Sequence, residues 1–383
     1  MTKTTTNGTT TTTNGGVVST PPTSKVGALT GLIGSTIDKV LTTVGVDTYR
    51  WRTRLASLYA LYTIDDKSID AYMNSYILFD GDWSNDNGKS ESNIVDYYHV
   101  INHLCALGNV EKMYIPPLRD PSLKSSLTQN QELYELKMME DIHAFADNGK
   151  TALNNPKKIV DIGCGRGRVA MHVAKATGAH VTGINIDPSQ IANAQYYSSR
   201  IGLQDKTKFQ VGSLNDPLPF DDESIDCAYE IQAFTYAKDK VAVFSEIYRI
   251  LKPGAKFSYL DWVLLDNFDK TNEVHVDHVR RTMPFIGAVD TVHYSEIENA
   301  MKQAGFTILL SEDASIGGHQ GALINSERSH YWWVRVFARL LLPAKFIRML
   351  RRLREDAEHF VEADRLRIAT TSYQIVCQKP MKN

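Results

Sequence analysis

Apolar residues recur along this chain with two different periods, and the change from one to the other divides it. Leu29, Leu32, Ile33, Ile37, Val40, Leu41 and Val44 fall three or four residues apart and predict an amphipathic helix. Ile69 to Trp83, Ile94 to Leu107 and Gln129 to Asp147 show similar helical spacing, with Pro116, Pro117 and Pro121 marking a loop before the last of them. Beyond residue 155 short β-branched runs alternate with helical stretches. Strands are expected at Ile159 to Ile162, Ala179 to Ile184, Lys208 to Val211, Leu218-Pro219-Phe220 continuing into Asp226 to Tyr229, and Ala255 to Trp262 after a loop Leu251-Lys252-Pro253-Gly254. A helix Tyr294 to Ala304 and a strand Phe306 to Leu310 follow, and a closing strand comes only at Ser372 to Gln378. Strands alternating with helices predict an α/β fold on a largely parallel sheet. Residues 1 to 24, built of Thr, Asn, Gly, Ser and Pro, are too polar to repay the entropy of ordering and are expected to form a disordered tail.

The first expected strand carries the chemistry. It passes through Asp161 into Gly163-Cys164-Gly165-Arg166-Gly167 and then into a helix. Such a turn brings backbone close to a ligand where a Cβ would clash. A dinucleotide fingerprint would put its third glycine at 168, where this chain has arginine, so the turn has no pyrophosphate to cradle. Asp161 can instead help hold the ammonium of an amino-acid moiety, as S-adenosylmethionine (SAM) requires. The second strand delivers Asn185 to the ribose position, with Asp187 close enough to substitute and Gln190 just beyond; the third ends at Gly212-Ser213-Leu214, where an adenine edge would meet a backbone or hydroxyl donor. The expected cofactor set is Asp161, Gly163, Gly165, Gly167, Asn185, Gln190, Ser213 and Leu214. Together these segments resemble a Rossmann-like, seven-stranded class I SAM-dependent methyltransferase.

Composition narrows the rest. At 383 residues, with 43% apolar residues and a formal charge of -2, the chain can bury a core and gives no electrostatic reason to expect nucleic acid. Cys105, Cys164, Cys227 and Cys377 have neither metal-ligand nor disulfide spacing, so reduced thiols, no metal and a cytoplasmic setting are expected. The organisation reads as a tail (1–24), an N-terminal helical cap (25–150), the SAM-binding core (151–265) and a substrate-binding C-terminal region (266–383). Between the last two strands lies a helical insertion in which Tyr331, Trp332, Trp333 and Phe337 interleave with Arg328, Arg335, Arg339, Lys345 and Arg348, without one acid from Arg328 to Arg354. Charge at that density excludes a transmembrane helix. Either 328–354 forms a peripheral contact with an anionic membrane, such as that of the endoplasmic reticulum, or an apolar lid over a lipid substrate, or it is a helix pair packed on the core with a solvated arginine face. A homo-oligomer is compatible with each.

The glycine turn, Val181-Thr182-Gly183-Ile184-Asn185, the run Glu246 to Gly254, Trp262 with Asp266, Phe268 and Asp269, and Val361-Glu362 with Arg365-Leu366 before the closing strand together resemble the sterol 24-C-methyltransferases over roughly residues 95 to 380. Tyr97 and Tyr98 match that family's tyrosine pair. The resemblance implies methyl transfer from SAM to an alkene carbon of a sterol-like or other isoprenoid lipid. Three places depart from the pattern. Leu104 to Asn109 stands where the family has an aromatic, acid-containing box; Gln232 and Tyr236 stand for a glutamate and a histidine after the fourth strand; and Asp261 stands for a glutamate before Trp262.

Alkene methylation leaves a carbocation that must be shielded from water and must lose a proton, so the site needs π faces, carboxylate charge and a base. Tyr98, Phe234, Tyr236 and Trp262 are the candidate faces, Glu230 and Asp261 the candidate charges, with Glu230 foremost, and His275, His278 and His293 the candidate bases. The expected catalytic set is Glu230, Tyr236, Tyr98 and Asp261. A heteroatom methylase acting on a smaller amphiphile, needing only a base and a shaped pocket, and a non-catalytic lipid-binding relative are the alternatives.

Overall fold

The computed structural model describes residues 56, 57, 59, 62, 63, 97, 98, 100–103, 105, 110–123, 126–145, 157–324 and 344–382, all within the unit Arg54–Asn383. The expected tail at 1–24, the helices at 29–44 and 69–83 and the insertion residues 328–343 lie outside them, whereas every described position from 97 to 105 is helical.

The described elements run α1 (Leu127–Asp141), β1 (Lys158–Ile162), α2 (Arg168–Thr177), β2 (His180–Asn185), α3 (Pro188–Arg200), β3 (Thr207–Val211), β4 (Ile225–Ile231), α4 (Lys240–Ile250), β5 (Leu251–Leu264), α5 (Glu273–Ile286), α6 (Tyr294–Gln303), β6 (Thr307–Asp313), α7 (Ala344–Arg365) and β7 (Ala369–Gln378). The seven strands form one sheet ordered β3-β2-β1-β4-β5-β7-β6. All neighbours are parallel except β7, which is antiparallel to both β5 and β6. β1 and β4 are covered on both faces, so most residues of each are buried rather than every second one. One face buries Phe234, Phe244, Ile247, Phe257 and Met301, and the other Tyr134, Met138, Val173 and Phe209. Burying each such side chain contributes about 1.5–3 kcal/mol.

The strand order reverses between β1 and β4, so the carboxyl ends of β1, β2 and β4 open onto a switch-point crevice. This is the fold class expected from the sequence. Three local expectations are corrected. The helix over 129–147 runs instead from Leu127 to Asp141, because His143 takes a left-handed φ of 54° without a glycine to announce the stop. Leu218-Pro219-Phe220 is a tether rather than part of β4: the Leu218 amide donates to Glu246 Oε1 (2.8 Å), and its carbonyl accepts from Arg249 Nη2 (3.0 Å). The expected loop Leu251 to Gly254 belongs to β5, where four residues of β5 (252 to 255) lie opposite one of β4 (226) in a bulge with Gly254 at φ 79°.

Residues 314–368 separate β6 from β7. Their described C-terminal helix, α7, packs on α5 through Ala357, Phe360 and Ala363 in a cluster with Trp262, Val279 and Ala288. Arg351 and Arg354 stay exposed on the other side. Over 351–365 the helix is thus packed on one side and exposes Arg351 and Arg354 on the other, an arrangement that these expectations for the insertion share.

Candidate active site

At the carboxyl ends of β1, β2 and β4 lies a cleft enclosing about 1040 Å³, counting its open mouth. Its floor is the turn after β1. Gly163 has φ 77°, and a Cβ there would stand 2.2 Å from the Ala233 Cβ. Gly167, at φ 70°, is not on the cleft wall. It starts α2, and a Cβ there would meet the Phe209 ring at 2.4 Å. Two of the three glycines, Gly163 and Gly165, thus shape the cradle, while the third seats the helix behind it.

Asp161 borders the cleft yet is 3% exposed, and it accepts a hydrogen bond from the Tyr229 hydroxyl (3.0 Å). Burial pushes its carboxyl up to about 7, against the pull of that hydroxyl. Asn185, at the end of β2, accepts from the Gly165 amide (3.3 Å) and donates to Gln190 Oε1 (2.8 Å); Gln190 in turn donates to Asn102 Oδ1 (3.1 Å). An amide chain thereby ties the end of β2 to the helix carrying residues 97–105. Asp187 Oδ1 caps α3 at Ser189 (2.7 Å), and its other oxygen is buried with no hydrogen-bond partner among the described residues. Ser213 and Leu214 line the cleft beyond β3. A glycine cradle, a buried acid at its edge and the Asn185 amide at the end of β2 fit the donors of SAM, an ammonium and two ribose hydroxyls, whereas Asp187 does not line the cleft.

One end of the cleft is bordered by Tyr98 and Tyr236. Tyr236 donates to the Gly287 carbonyl (2.5 Å) and stands 3.3 Å from the Tyr98 hydroxyl. Because the Tyr236 proton is committed to Gly287, Tyr98 donates to Tyr236 and keeps its own lone pairs. Burial raises both phenols above their ordinary range, so they stay neutral. Neighbouring Tyr97 donates to the Pro284 carbonyl (3.0 Å), docking the same helix on the end of α5.

A second wall, residues 111–114, has no regular structure. Arg166 donates to the carbonyls of Val110 and Glu111, Arg168 pairs with Glu111 (3.0 Å), and Lys112 pairs with Glu135 (2.6 Å), whose carboxylate also accepts from Tyr114 (2.7 Å). The sequence pattern missed this wall. It lies just after the stretch compared with the aromatic box, and of that stretch only Cys105 is among the described residues. The available signal was a non-periodic run with two charges and a tyrosine immediately before Pro116.

Glu230 and Asp261 do not line the cleft. Glu230 is fully buried and accepts from the amides of Ala233 (3.1 Å) and Leu260 (3.0 Å); Asp261 accepts from Phe234 (2.7 Å), Thr235 (3.2 Å) and Trp262 (2.7 Å). Burial raises Glu230 well above the carboxylate range, helped by Asp261, and lifts Asp261 to about 6. The two acids pin the backbone turn that carries Tyr236. Phe234 packs inside the core, and Trp262 donates to Thr291 (2.9 Å). His293 caps α6, His278 faces His359 at 2.9 Å, and His275 accepts from the Asp269 amide (3.2 Å), all away from the cleft wall.

A family model described as a methyltransferase domain matches residues 160–259. Sterol methyltransferase-like 1 of Botryococcus braunii is 33% identical over 237 residues, which are 59% of this chain and 61% of that protein. Sterol 24-C-methyltransferase erg-4 of Neurospora crassa is 39% identical over 156 residues, 41% of each chain. The chain thus spans less than two thirds of either relative's length. In fold, it is similar to geranyl diphosphate C-methyltransferase from Streptomyces coelicolor A3(2), with a TM-score of 0.55 at 15% identity over 76% of this chain and 97% of that one. The domain at residues 160–259 is therefore that of a SAM-dependent methyltransferase, and the chain resembles the sterol 24-C-methyltransferases.

Proposed function

We propose that this protein is a SAM-dependent C-methyltransferase whose acceptor is a sterol-like or other isoprenoid lipid. The observation that carries this reading is the character of the Tyr98–Tyr236 end of the cleft. It offers ring faces and a lone-pair-bearing oxygen. An electron-rich alkene that attacks the sulfonium methyl leaves positive charge on carbon, which such ring faces favour. The relatives named sterol methyltransferases support the carbon-acceptor reading.

SAM bound in the cleft supplies an electrophilic methyl group on a sulfonium. Asp161 would hold its ammonium and Asn185 its ribose, while Gly163 and Gly165 leave room for the ligand to approach the backbone. Tyr98 and Tyr236 favour positive charge developing on an acceptor carbon through their ring faces, and the uncommitted Tyr98 lone pairs add to this. Glu230 and Asp261 act through the turn they pin, by fixing where the Tyr236 ring stands. A peripheral membrane contact through the arginine-rich segment 328–354 is part of this reading, and the exposed Arg351 and Arg354 support it.

Purified protein incubated with methyl-labelled SAM and a lipid extract, followed by mass spectrometry of labelled products, tests the reading. Label on carbon in a sterol or other isoprenoid is the expected result. Label on nitrogen or oxygen, or none, would overturn it.

A further inference from the structure

Gln232 stands at the end of β4 in a conformation that its residue type does not favour, with φ 55°, and it borders the cleft. A left-handed non-glycine residue is strained and persists only where its surroundings enforce it. The enforcement is visible. The Gln232 amide donates to the Leu260 carbonyl (2.7 Å), and its side chain reaches across to the cleft wall. Oε1 accepts from the Ile115 amide (3.2 Å), and Nε2 donates to the Ile115 carbonyl (2.8 Å) and the Thr371 carbonyl on β7 (2.9 Å).

This arrangement copies one rung of a β-ladder with a side chain. Three partners, one N–H and two carbonyls, demand one acceptor and two N–H donors in a planar group, and among the side chains only a primary amide supplies that set at this reach. A carboxylate would keep the acceptor for the Ile115 amide but turn its second lone-pair-bearing oxygen toward both carbonyls. A second amide repeats the device: buried Gln320 donates to the Pro116 carbonyl (2.9 Å) and accepts from the Thr371 amide (3.2 Å). The wall at 111–114 is thus registered against β4 and β7 through Ile115.

We propose that Gln232 is a positioning residue for cofactor binding: its neutral amide sets the distance between the 111–114 wall and the glycine turn across the cleft. The inference rests on the cleft being the SAM site. The claim concerns charge as well as shape, so the isosteric Gln232→Glu is the informative change, with the apolar Gln232→Met as its companion.

Affinity for SAM is measured calorimetrically across pH, each variant as a ratio to wild type at the same pH. With a buried hydrogen-bonded pair lost, both variants should bind about 5- to 150-fold more weakly near pH 8. A carboxyl buried among carbonyls has a raised pKa and donates once protonated. The Gln232→Glu ratio should therefore recover as pH is lowered to about 5.5, while the Gln232→Met ratio stays flat. A Gln232→Glu ratio that is near unity at pH 8, or that does not move with pH, overturns the proposal. Hydrogen exchange over residues 110–118 in the ligand-free protein decides the matter independently. Faster exchange there in both variants, with α4 unchanged, is expected, and unaltered protection overturns the positioning role. If wild type binds no SAM, the functional reading fails, and the exchange data still decide whether Gln232 holds the wall.

Discussion

Asp161 is held nearly out of water and pushed up to about 7 beside a cleft that suits a cationic ligand. An ammonium binds better to the carboxylate than to the acid, so affinity for SAM should strengthen as pH rises toward 7 and weaken again above about 8, where the ligand's α-amino group loses its proton. The limiting slope is about tenfold per pH unit for one linked proton. Calorimetry from acid to alkaline pH checks this, and Asp161→Asn should weaken binding and flatten the profile; an equally sloped Asp161→Asn profile would assign the proton elsewhere. Glu230 makes the contrasting case. Both its oxygens accept backbone amides, so Glu230→Gln sets an NH₂ against a buried N–H and should cost about 1–3 kcal/mol of stability. Chemical denaturation checks that loss. A large fall in turnover with unchanged stability would restore Glu230 to the chemistry itself.

At the scale of elements, the alternating strands and helices, the glycine turn and the late closing strand were legible because each rests on local pattern: period, β-branching and the steric needs of a tight turn. What escaped was settled by distant partners. The stop of α1 at His143 lacks a glycine signal, and the β5 bulge depends on register against β4. The buried acids of β4 and β5 looked catalytic in the sequence, because only the fold reveals that Gln232 to Thr235 turn back and need their amides satisfied. Wall residues 111–114 follow no period at all. The insertion was half legible: its arginine density was plain, but its attachment to α5 was not. Phe360, buried in that interface and 5.9 Å from the Phe285 ring, should cost about 3–5 kcal/mol when truncated to alanine. Denaturant unfolding measures it, and a cost below about 1 kcal/mol would mean that α7 is loosely seated.

Across the whole molecule the buried acids act together. Asp161, Glu230 and Asp261 all have folded-state pKa values above their ordinary ones. For such groups the native state binds more protons than the unfolded chain, so stability is full below about pH 4 and falls as pH rises through about 6 to 7, by about 1.4 kcal/mol per group per pH unit within the window. Glu246 beside Arg249 and Glu298 bonded to Ser311 and Lys302 are held low and lose their contribution as pH falls below about 4. The ligand-free protein should therefore melt highest on the acid side of neutrality. Thermal melts between pH 4 and 9 test this, and a Tm that climbs steadily to pH 8 would contradict it. Saturating SAM, by favouring ionised Asp161, should move the maximum toward neutral pH.

Residues 110–119 invert the usual relation between irregular backbone and vulnerability. Such stretches are ordinarily where proteases enter, since an enzyme must draw several residues into its own groove. Here the extraction would break contacts to Arg166, Gln131, Gln232, Gln320 and Ser315, each anchored on a different part of the molecule. Trypsin has two basic targets within it, Lys112 bound to Glu135 and Arg119 bound to the Ala314 carbonyl (2.7 Å). Cleavage at either should begin only at temperatures where the whole domain opens, so fragments from these two sites would report global unfolding rather than local breathing.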